Sequence, residues 1–396
     1  MPFTPLMSDT TSPSAGAASI TLGLLALLLA LIGRPAFAQL RETPQSPKGG
    51  TPNSPAWSEP PALFRESLKV PAFPVPTDLA QWGKDRLAVR AKLVELLGDL
   101  PPRPDPAAVR VVSREDRGGY ILERFEFHNG ADALVPGYLM LPKDLKPGQT
   151  RACVLALHEH GGSKDSVCLN EKAMDHVGTP LIARGYIVAA IDGYFHGERV
   201  GKGPGGAKEN KAAQEMTLSK INLWLGRSLW GMQVRDEQCL LDYLHTRPEI
   251  DKKKIGATGM SMGCTRSWWL AALDERIHAV VGVACFTRYS NLIANAGTKY
   301  HGIYYYVPGM LRHFDTEAVH ALIAPRPHLE LSGDQDPGAP NDGVAFLEKF
   351  LGETYKLHGK PENFVSVLYA KTGHEYLPEM KRRMLEWFDT HLPVER

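Results

Sequence analysis

Residues 255–263 read Ile-Gly-Ala-Thr-Gly-Met-Ser-Met-Gly, and the helix-forming run Trp268-Trp269-Leu270-Ala271-Ala272-Leu273 follows closely. The stretch places Gly259-x-Ser261-x-Gly263 between an apolar, strand-like lead and that helix. This is the pattern of a nucleophile elbow, in which a strand turns sharply into a helix and presents a serine at the apex. Glycines at 259 and 263 meet a steric need, because the backbone there is strained and strand and helix lie close together. The pattern is too short to decide anything alone, so the surrounding chain has to carry the inference.

On either side of the elbow, short apolar segments alternate with helical ones. Strands are expected at 153–158, 186–192, 255–259, 278–285, 328–333 and 364–369, and helices at 165–184, 229–246, 342–351 and 379–391. Upstream, segments 109–113, 120–127 and 134–141 are separated by turn residues and read as an antiparallel start. Continuous apolar strands divided by helices imply a largely parallel sheet covered on both faces. The expected fold is α/β: an α/β-hydrolase fold, with a mostly parallel eight-stranded sheet, as a catalytic domain over 109–396. Residues 77–98 carry a helical pattern stopped by Gly98 and Pro101-Pro102, within an N-terminal helical extension over 63–108. Two segments, 193–228 and 286–323, are too long to be simple connections, and the second contains Tyr304-Tyr305-Tyr306.

The 396 residues suffice for one large domain with extensions, and a formal net charge of +1 gives no reason to expect nucleic acid as a partner. An apolar run over 20–32 ends in Gly33-Arg34-Pro35-Ala36-Phe37-Ala38, whose small residues at 36 and 38 form an A-x-A-type cleavage site. This reads as a signal peptide over 1–38, although residues 1–19 lack the usual Lys or Arg. Retention as an anchor is the alternative, and the run is short for a membrane span. Residues 39–62, rich in Pro, Ser, Gly and Thr, read as a flexible linker. The expected destination is export, periplasmic or secreted, with no stable membrane association after cleavage. Of five cysteines (Cys153, Cys168, Cys239, Cys264, Cys285), four lie in apolar contexts suited to buried free thiols, and a disulfide from Cys168 stays open. There is no Cys-x-x-Cys, and neither a structural metal nor a cofactor is expected.

A serine hydroxyl is a poor nucleophile until a base takes its proton, and that base needs a carboxylate to hold its tautomer. In this fold the order along the chain is serine, acid, histidine, with the last two on loops after later strands. Segment 328–333 runs into Gly333-Asp334-Gln335-Asp336-Pro337, and segment 364–369 into Ala370-Lys371-Thr372-Gly373-His374. The candidates are therefore Ser261, Asp336 and His374. Asp336 is preferred to Asp334 because Pro337 stiffens its loop and Asp334 sits closer to the strand end. Two backbone N–H donors should face the developing oxyanion. One is the N–H of Met262, after the nucleophile; the other is assigned to His160 in the loop His158-Glu159-His160-Gly161-Gly162. A zinc reading of His158-x-His160 lacks the i, i+4 spacing of a helical zinc motif. Trp230, Tyr305 and Tyr306 are candidate substrate contacts, with packing as the competing role. Glu198-Arg199 reads as a structural ion pair, Trp268-Trp269 as core, and 202–211 as a solvated loop.

Taken in order, six motifs resemble the dienelactone-hydrolase-like branch of the α/β hydrolases: His158-Glu159-His160-Gly161-Gly162, Asp192 with His196-Gly197-Glu198-Arg199, Gly259-Met260-Ser261-Met262-Gly263, Ala324-Pro325-Arg326-Pro327, Gly333-x-x-Asp336-Pro337 and Gly373-His374. Within that branch they look closest to exported bacterial hydrolases related to acetyl xylan esterases, over about residues 110–393. Dienelactone hydrolases proper use a cysteine nucleophile, so Ser261 argues for ordinary ester chemistry. Glucuronoyl esterases share the Ala-Pro-Arg-Pro flavour but carry a different elbow. The resemblance implies a serine carboxylesterase acting through an acyl-enzyme on small or carbohydrate-linked esters, without a cofactor. A prolyl-oligopeptidase-type serine peptidase shares the catalytic fold, but the segment before the sheet is too short for that group's propeller. A non-catalytic binding protein on the same fold is disfavoured by the complete Ser/Asp/His set.

Overall fold

The computed structural model describes residues 69–395 except Asp132. The expected leader over 1–38, the linker over 39–62 and the first residues of the helical extension lie outside the described residues. Among the described residues no helix is long and apolar enough to cross a membrane.

The chain enters through helix α1 (Leu79–Leu97), capped by Asp78, whose carboxylate accepts the N–H of Gln81 at 2.7 Å. Trp82, Val89, Leu93 and Leu97 fall on one face of this helix and are buried. Each large apolar side chain so buried contributes on the order of 2 kcal/mol. Gly98, at φ 91°, ends the helix, and Leu97 O accepts the N–H of Ser228 at 2.9 Å.

Nine strands follow in one sheet of order β1-β2-β3-β5-β4-β6-β7-β8-β9. Strands β1 (Arg110–Asp116), β2 (Tyr120–His128) and β3 (Leu134–Pro142) form an antiparallel meander. Strand β5 (Ile187–Ile191) pairs antiparallel with β3 and parallel with β4 (Arg151–Leu157). From there β6 (Ile250–Met260), β7 (Ala279–Val283), β8 (His328–Gly333) and β9 (Phe364–Tyr369) add in parallel. The sheet expected to have eight strands has nine among the described residues, one at each of the nine segments read as strand-like. Mostly exposed β1 stands at the sheet edge, where burial imposes little hydrophobic pattern.

Each central strand feeds two cores because successive side chains point to opposite faces. Cys153, Leu155 and Leu157 of β4 face one apolar cluster, while Ala152, Val154 and Ala156 face the other. The first cluster is roofed by α1, by α5 (Leu229–Thr246) and by the elbow helix α6 (Met262–Leu273). The second holds α10 (Pro378–His391) through Met380, Met384 and Phe388. The continuous helix expected over 165–184 is two short helices, α2 (Lys164–Cys168) and α3 (Gly178–Ala183). Between them the chain turns so that Asp175 reaches back to the hydroxyl of Ser166 at 2.9 Å. Segment 193–228 contains helix α4 (Lys211–Trp224), absent from the sequence expectations. Segment 286–323 holds α7 (Tyr289–Ala294), three 3-10 turns and α8 (Thr316–Ala321). Helix α9 (Asn341–Leu357) closes the β8–β9 crossover.

Candidate active site

Strand β6 ends in Met260, and the next residue, Ser261, sits at φ 56° and ψ −118° before α6 begins. A non-glycine residue at that φ is strained and persists only when its surroundings fix it. Here the Ser261 N–H donates to Val283 O of the neighbouring β7 at 2.8 Å, and Thr265 N–H donates to Ser261 O at 3.1 Å. The flanking glycines let α6 sit on the end of β4. A Cβ at Gly263 would lie 1.9 Å from Leu157 O, and one at Gly259 would lie 2.4 Å from the same oxygen. Half-buried Ser261 thus stands at the C-terminal edge of the sheet, with a hydroxyl that has no hydrogen-bond partner among the described residues.

The loops after β8 and β9 are clasped together at that same edge. Gln335 N–H donates to Thr372 O at 2.8 Å, and Asp334 N–H to Tyr369 O at 3.0 Å. The two acids divide the work. Asp334 Oδ1 accepts Thr372 N–H at 3.2 Å, which anchors the loop before Gly373. Asp336, 4% exposed, accepts Gly338 N–H on Oδ1 at 2.8 Å and faces His374 Nδ1 with Oδ2 at 2.7 Å. A carboxylate can only accept, so Nδ1 carries the proton and Nε2 keeps its lone pair. Burial alone would pull the His374 pKa down. The hydrogen bond and charge of Asp336, with the more distant Glu159, outweigh it and hold the imidazole above its ordinary value of 6.5.

On the other side of Ser261 lies the loop after β4. Its donors are mostly spent internally: Glu159 N–H goes to Asp175 at 3.2 Å, Gly161 N–H to the Glu159 carboxylate at 2.7 Å, and Gly162 N–H to Glu159 O at 3.0 Å. The N–H groups of His160 and Met262 have no acceptor among the described residues. The His160 carbonyl is held from outside the loop, by His196 Nε2 at 2.9 Å and by the ammonium of Lys211. Its ring lies over Tyr304, with centroids 5.0 Å apart, and Nε2 meets Glu215 Oε2 at 2.9 Å. His158 does not share a ligand position with it, since His158 Nε2 accepts Gly193 N–H at 2.9 Å.

Several of these residues had no signal in the sequence. Lys211, read as part of a solvated loop, opens α4 and turns its side chain inward; burial lowers its pKa against the pull of Glu159 and Glu215. Buried Asp192 accepts both the N–H and the ammonium of Lys164, each at 2.9 Å. Glu198 and Arg199 do form ion pairs, but not with each other. Glu198 meets Lys164 at 2.6 Å and Arg199 meets Asp236 at 2.9 Å. Trp268 and Trp269 are fully buried, and all five cysteines are free and buried.

The three candidate substrate contacts separate. Trp230 and Tyr305, at 0% and 2% exposure, are packed into an aromatic cluster and present no surface to a ligand. The Tyr305 ring stacks on His301 at 4.4 Å, and His301 Nε2 meets Gly338 O in the Asp336 loop at 3.1 Å. Their role in this structure is to pack the segment 286–323 against the core. Tyr306 is 41% exposed, with its hydroxyl on Thr298 O at 3.0 Å.

The strand order, the strained serine turn between β6 and α6 and the loop positions after β8 and β9 define an α/β-hydrolase fold. A family model described as the Abhydrolase family matches residues 67–387, and the chain belongs to that family. It is 36% identical over 292 residues to "Putative hydrolase YtaP" of Bacillus subtilis (strain 168), an overlap covering 72% of this chain and 92% of that protein. Among solved structures it is similar to a "putative acetyl xylan esterase" from Bacteroides fragilis, with TM-score 0.64, 21% identity and coverage of 84% of this chain and 89% of the other. A glucuronoyl esterase from Solibacter usitatus aligns with TM-score 0.60 and 18% identity, over 82% and 99% of the two chains. At these identities the two structural likenesses are likenesses of fold.

Proposed function

We propose that this protein is a serine carboxylesterase that cleaves small or carbohydrate-linked esters through an acyl-enzyme. The observation that carries the reading is the 2.7 Å contact between His374 Nδ1 and Asp336, on loops at the sheet edge where Ser261 stands at φ 56°. Ser261 Oγ attacks the ester carbonyl while His374 Nε2 takes its proton. His374 then returns that proton to the departing alkoxide, so the alcohol leaves neutral. Water attacks the acyl-enzyme by the same base and frees Ser261. The N–H groups of His160 and Met262 face the oxyanion, and Asp336 holds the His374 tautomer. No Ser261–His374 hydrogen bond is formed in this structure; such contacts commonly tighten only with substrate. Esterase names among proteins of similar fold support an ester substrate, and Ser261 in place of a cysteine nucleophile supports ordinary ester chemistry. Turnover of a panel of acetyl, butyryl and methyl-uronate esters tests the reading; inactivity of the folded protein on all three classes would sink it.

Segment 286–323 acts as a cap that sets acyl size, with Tyr306 as its exposed ring. Tyr306→Ala should change the ratio of activities on short and bulky esters with little loss of stability. Tyr305→Ala should instead cost about 3–5 kcal/mol, the usual penalty for deleting a buried aromatic ring. Thermal melts and activity ratios measured together decide the matter, and an unchanged ratio in Tyr306→Ala places the specificity elsewhere.

The chain is exported, with a leader over 1–38 removed after Ala38, a linker over 39–62, a helical extension over 63–108 and a catalytic domain over 109–396. N-terminal sequencing of the exported protein should begin at Gln39; an intact Met1 in the membrane fraction would mean an anchor.

A further inference from the structure

Strand β8 carries an unusual inward face. His328 and Glu330, two residues apart, point the same way into the core beneath the elbow helix, and both are 0% exposed. His328 Nε2 meets Glu330 Oε1 at 2.7 Å. The other carboxylate oxygen of Glu330 meets the thiol of Cys264 at 3.6 Å, from α6 one turn after Ser261. Facing them from α8 is His320, also 0% exposed, its ring set between Trp268 and His328 at centroid distances of 4.3 and 5.4 Å. Among the described residues neither ring nitrogen of His320 has a partner, and neither does His328 Nδ1. A buried polar group left unpaired costs about 1–3 kcal/mol, and here three such atoms sit together.

We propose that Cys264, His320, His328 and Glu330 form a structural zinc site in the core behind the nucleophile elbow. Ligand atoms of the two histidines and the glutamate already lie within 4.8 Å of one another, and Cys264 Sγ adjoins this set through Glu330. A tetrahedral zinc centre, with bonds of about 2.0–2.3 Å, brings its ligand atoms to roughly 3.5 Å, so these three side chains close by about an ångström on binding and Cys264 moves in beside Glu330. The donor set suits zinc: two neutral imidazoles, a carboxylate and a thiolate. The charges also close. The dication offsets the Glu330 carboxylate and the Cys264 thiolate, whose proton leaves to solvent, so no net charge is buried. Gly282 lets two of these side chains pack against β7, since a Cβ there would lie 2.3 Å from a Glu330 oxygen and 2.7 Å from Cys264 Sγ. Four protein ligands, all fully buried, make the site structural rather than catalytic.

The test is metal content of the full chain, independent of ester turnover. Protein purified without chelator, or unfolded and refolded with equimolar Zn2+, should hold close to one zinc per chain by elemental analysis. Refolding with Co2+ should give the absorption of tetrahedral thiolate-bound cobalt, lost in Cys264→Ala. His320→Phe, which keeps the ring stack, should lose the metal and the rise in Tm that zinc confers on the parent. A parent chain that holds no metal after both preparations overturns the proposal, as does full zinc retention in His320→Phe. Because the parent alone gives the first of these results, a variant that fails to fold does not protect the idea.

Discussion

Ser261→Ala is expected to lower kcat on an ester substrate by on the order of 10^6, about 8 kcal/mol of transition-state stabilisation, with the fold intact. The serine hydroxyl has no hydrogen bond to lose, because its Oγ is unpartnered among the described residues. The backbone contacts that hold the elbow, Ser261 N–H to Val283 O and Thr265 N–H to Ser261 O, survive the substitution. Nothing buried is orphaned, so the melting temperature should move by only a few degrees. The residual rate would come from binding and the two oxyanion donors. Single-turnover kinetics on an activated acetyl ester, paired with a thermal melt, separate chemistry from stability. A folded Ser261→Ala protein with parental turnover would eliminate the serine mechanism altogether.

Asp336→Asn should cost about 10^4 in kcat, roughly 5 kcal/mol, because an amide can donate to Nδ1 and so hold the wrong tautomer. Asp334→Asn should cost no more than about tenfold, since Asp334 anchors Thr372 N–H and does not touch His374. The pH profile adds a second readout. His374 must be neutral to act as base, and Asp336 raises its pKa above 6.5. The acid limb of kcat/KM in the parent should therefore lie above the ordinary imidazole range. Without the carboxylate, burial favours the neutral form and only the more distant charge of Glu159 opposes it. The limb should move to lower pH in Asp336→Asn and stay in place in Asp334→Asn. Equal losses in the two variants, or an unmoved limb, would take the orienting role away from Asp336.

The architecture was open to sequence reading where local patterns repeat the physics of the fold. The apolar runs of β4, β5 and β7 need no polar alternation because both their faces are buried. Gly259 and Gly263 mark the elbow because any Cβ there would strike the β4 carbonyl at Leu157. Helix α4 was harder, because a Gly- and Lys-rich approach masks it. The split of the 165–184 helix depends on Asp175 reaching back to Glu159 and Ser166, which is a tertiary event.

The sequence by itself determined the alternation of strands and helices, the serine turn on β6 and the placement of Asp336 and His374 on loops after β8 and β9. These follow from periodicity, from glycine sterics and from residues near one another in the chain. Tertiary structure alone decided which side chains meet. It put Lys211 and Glu215 of α4 onto His160, drew Trp230 and Tyr305 into the core instead of a cleft, and gathered Cys264, His320, His328 and Glu330 behind the elbow. The groups that meet come from segments distant along the chain, and no spacing announces their meeting. They converge only because the crossovers of a parallel sheet stack successive helices over the same strands, so contact is set by packing and not by sequence separation.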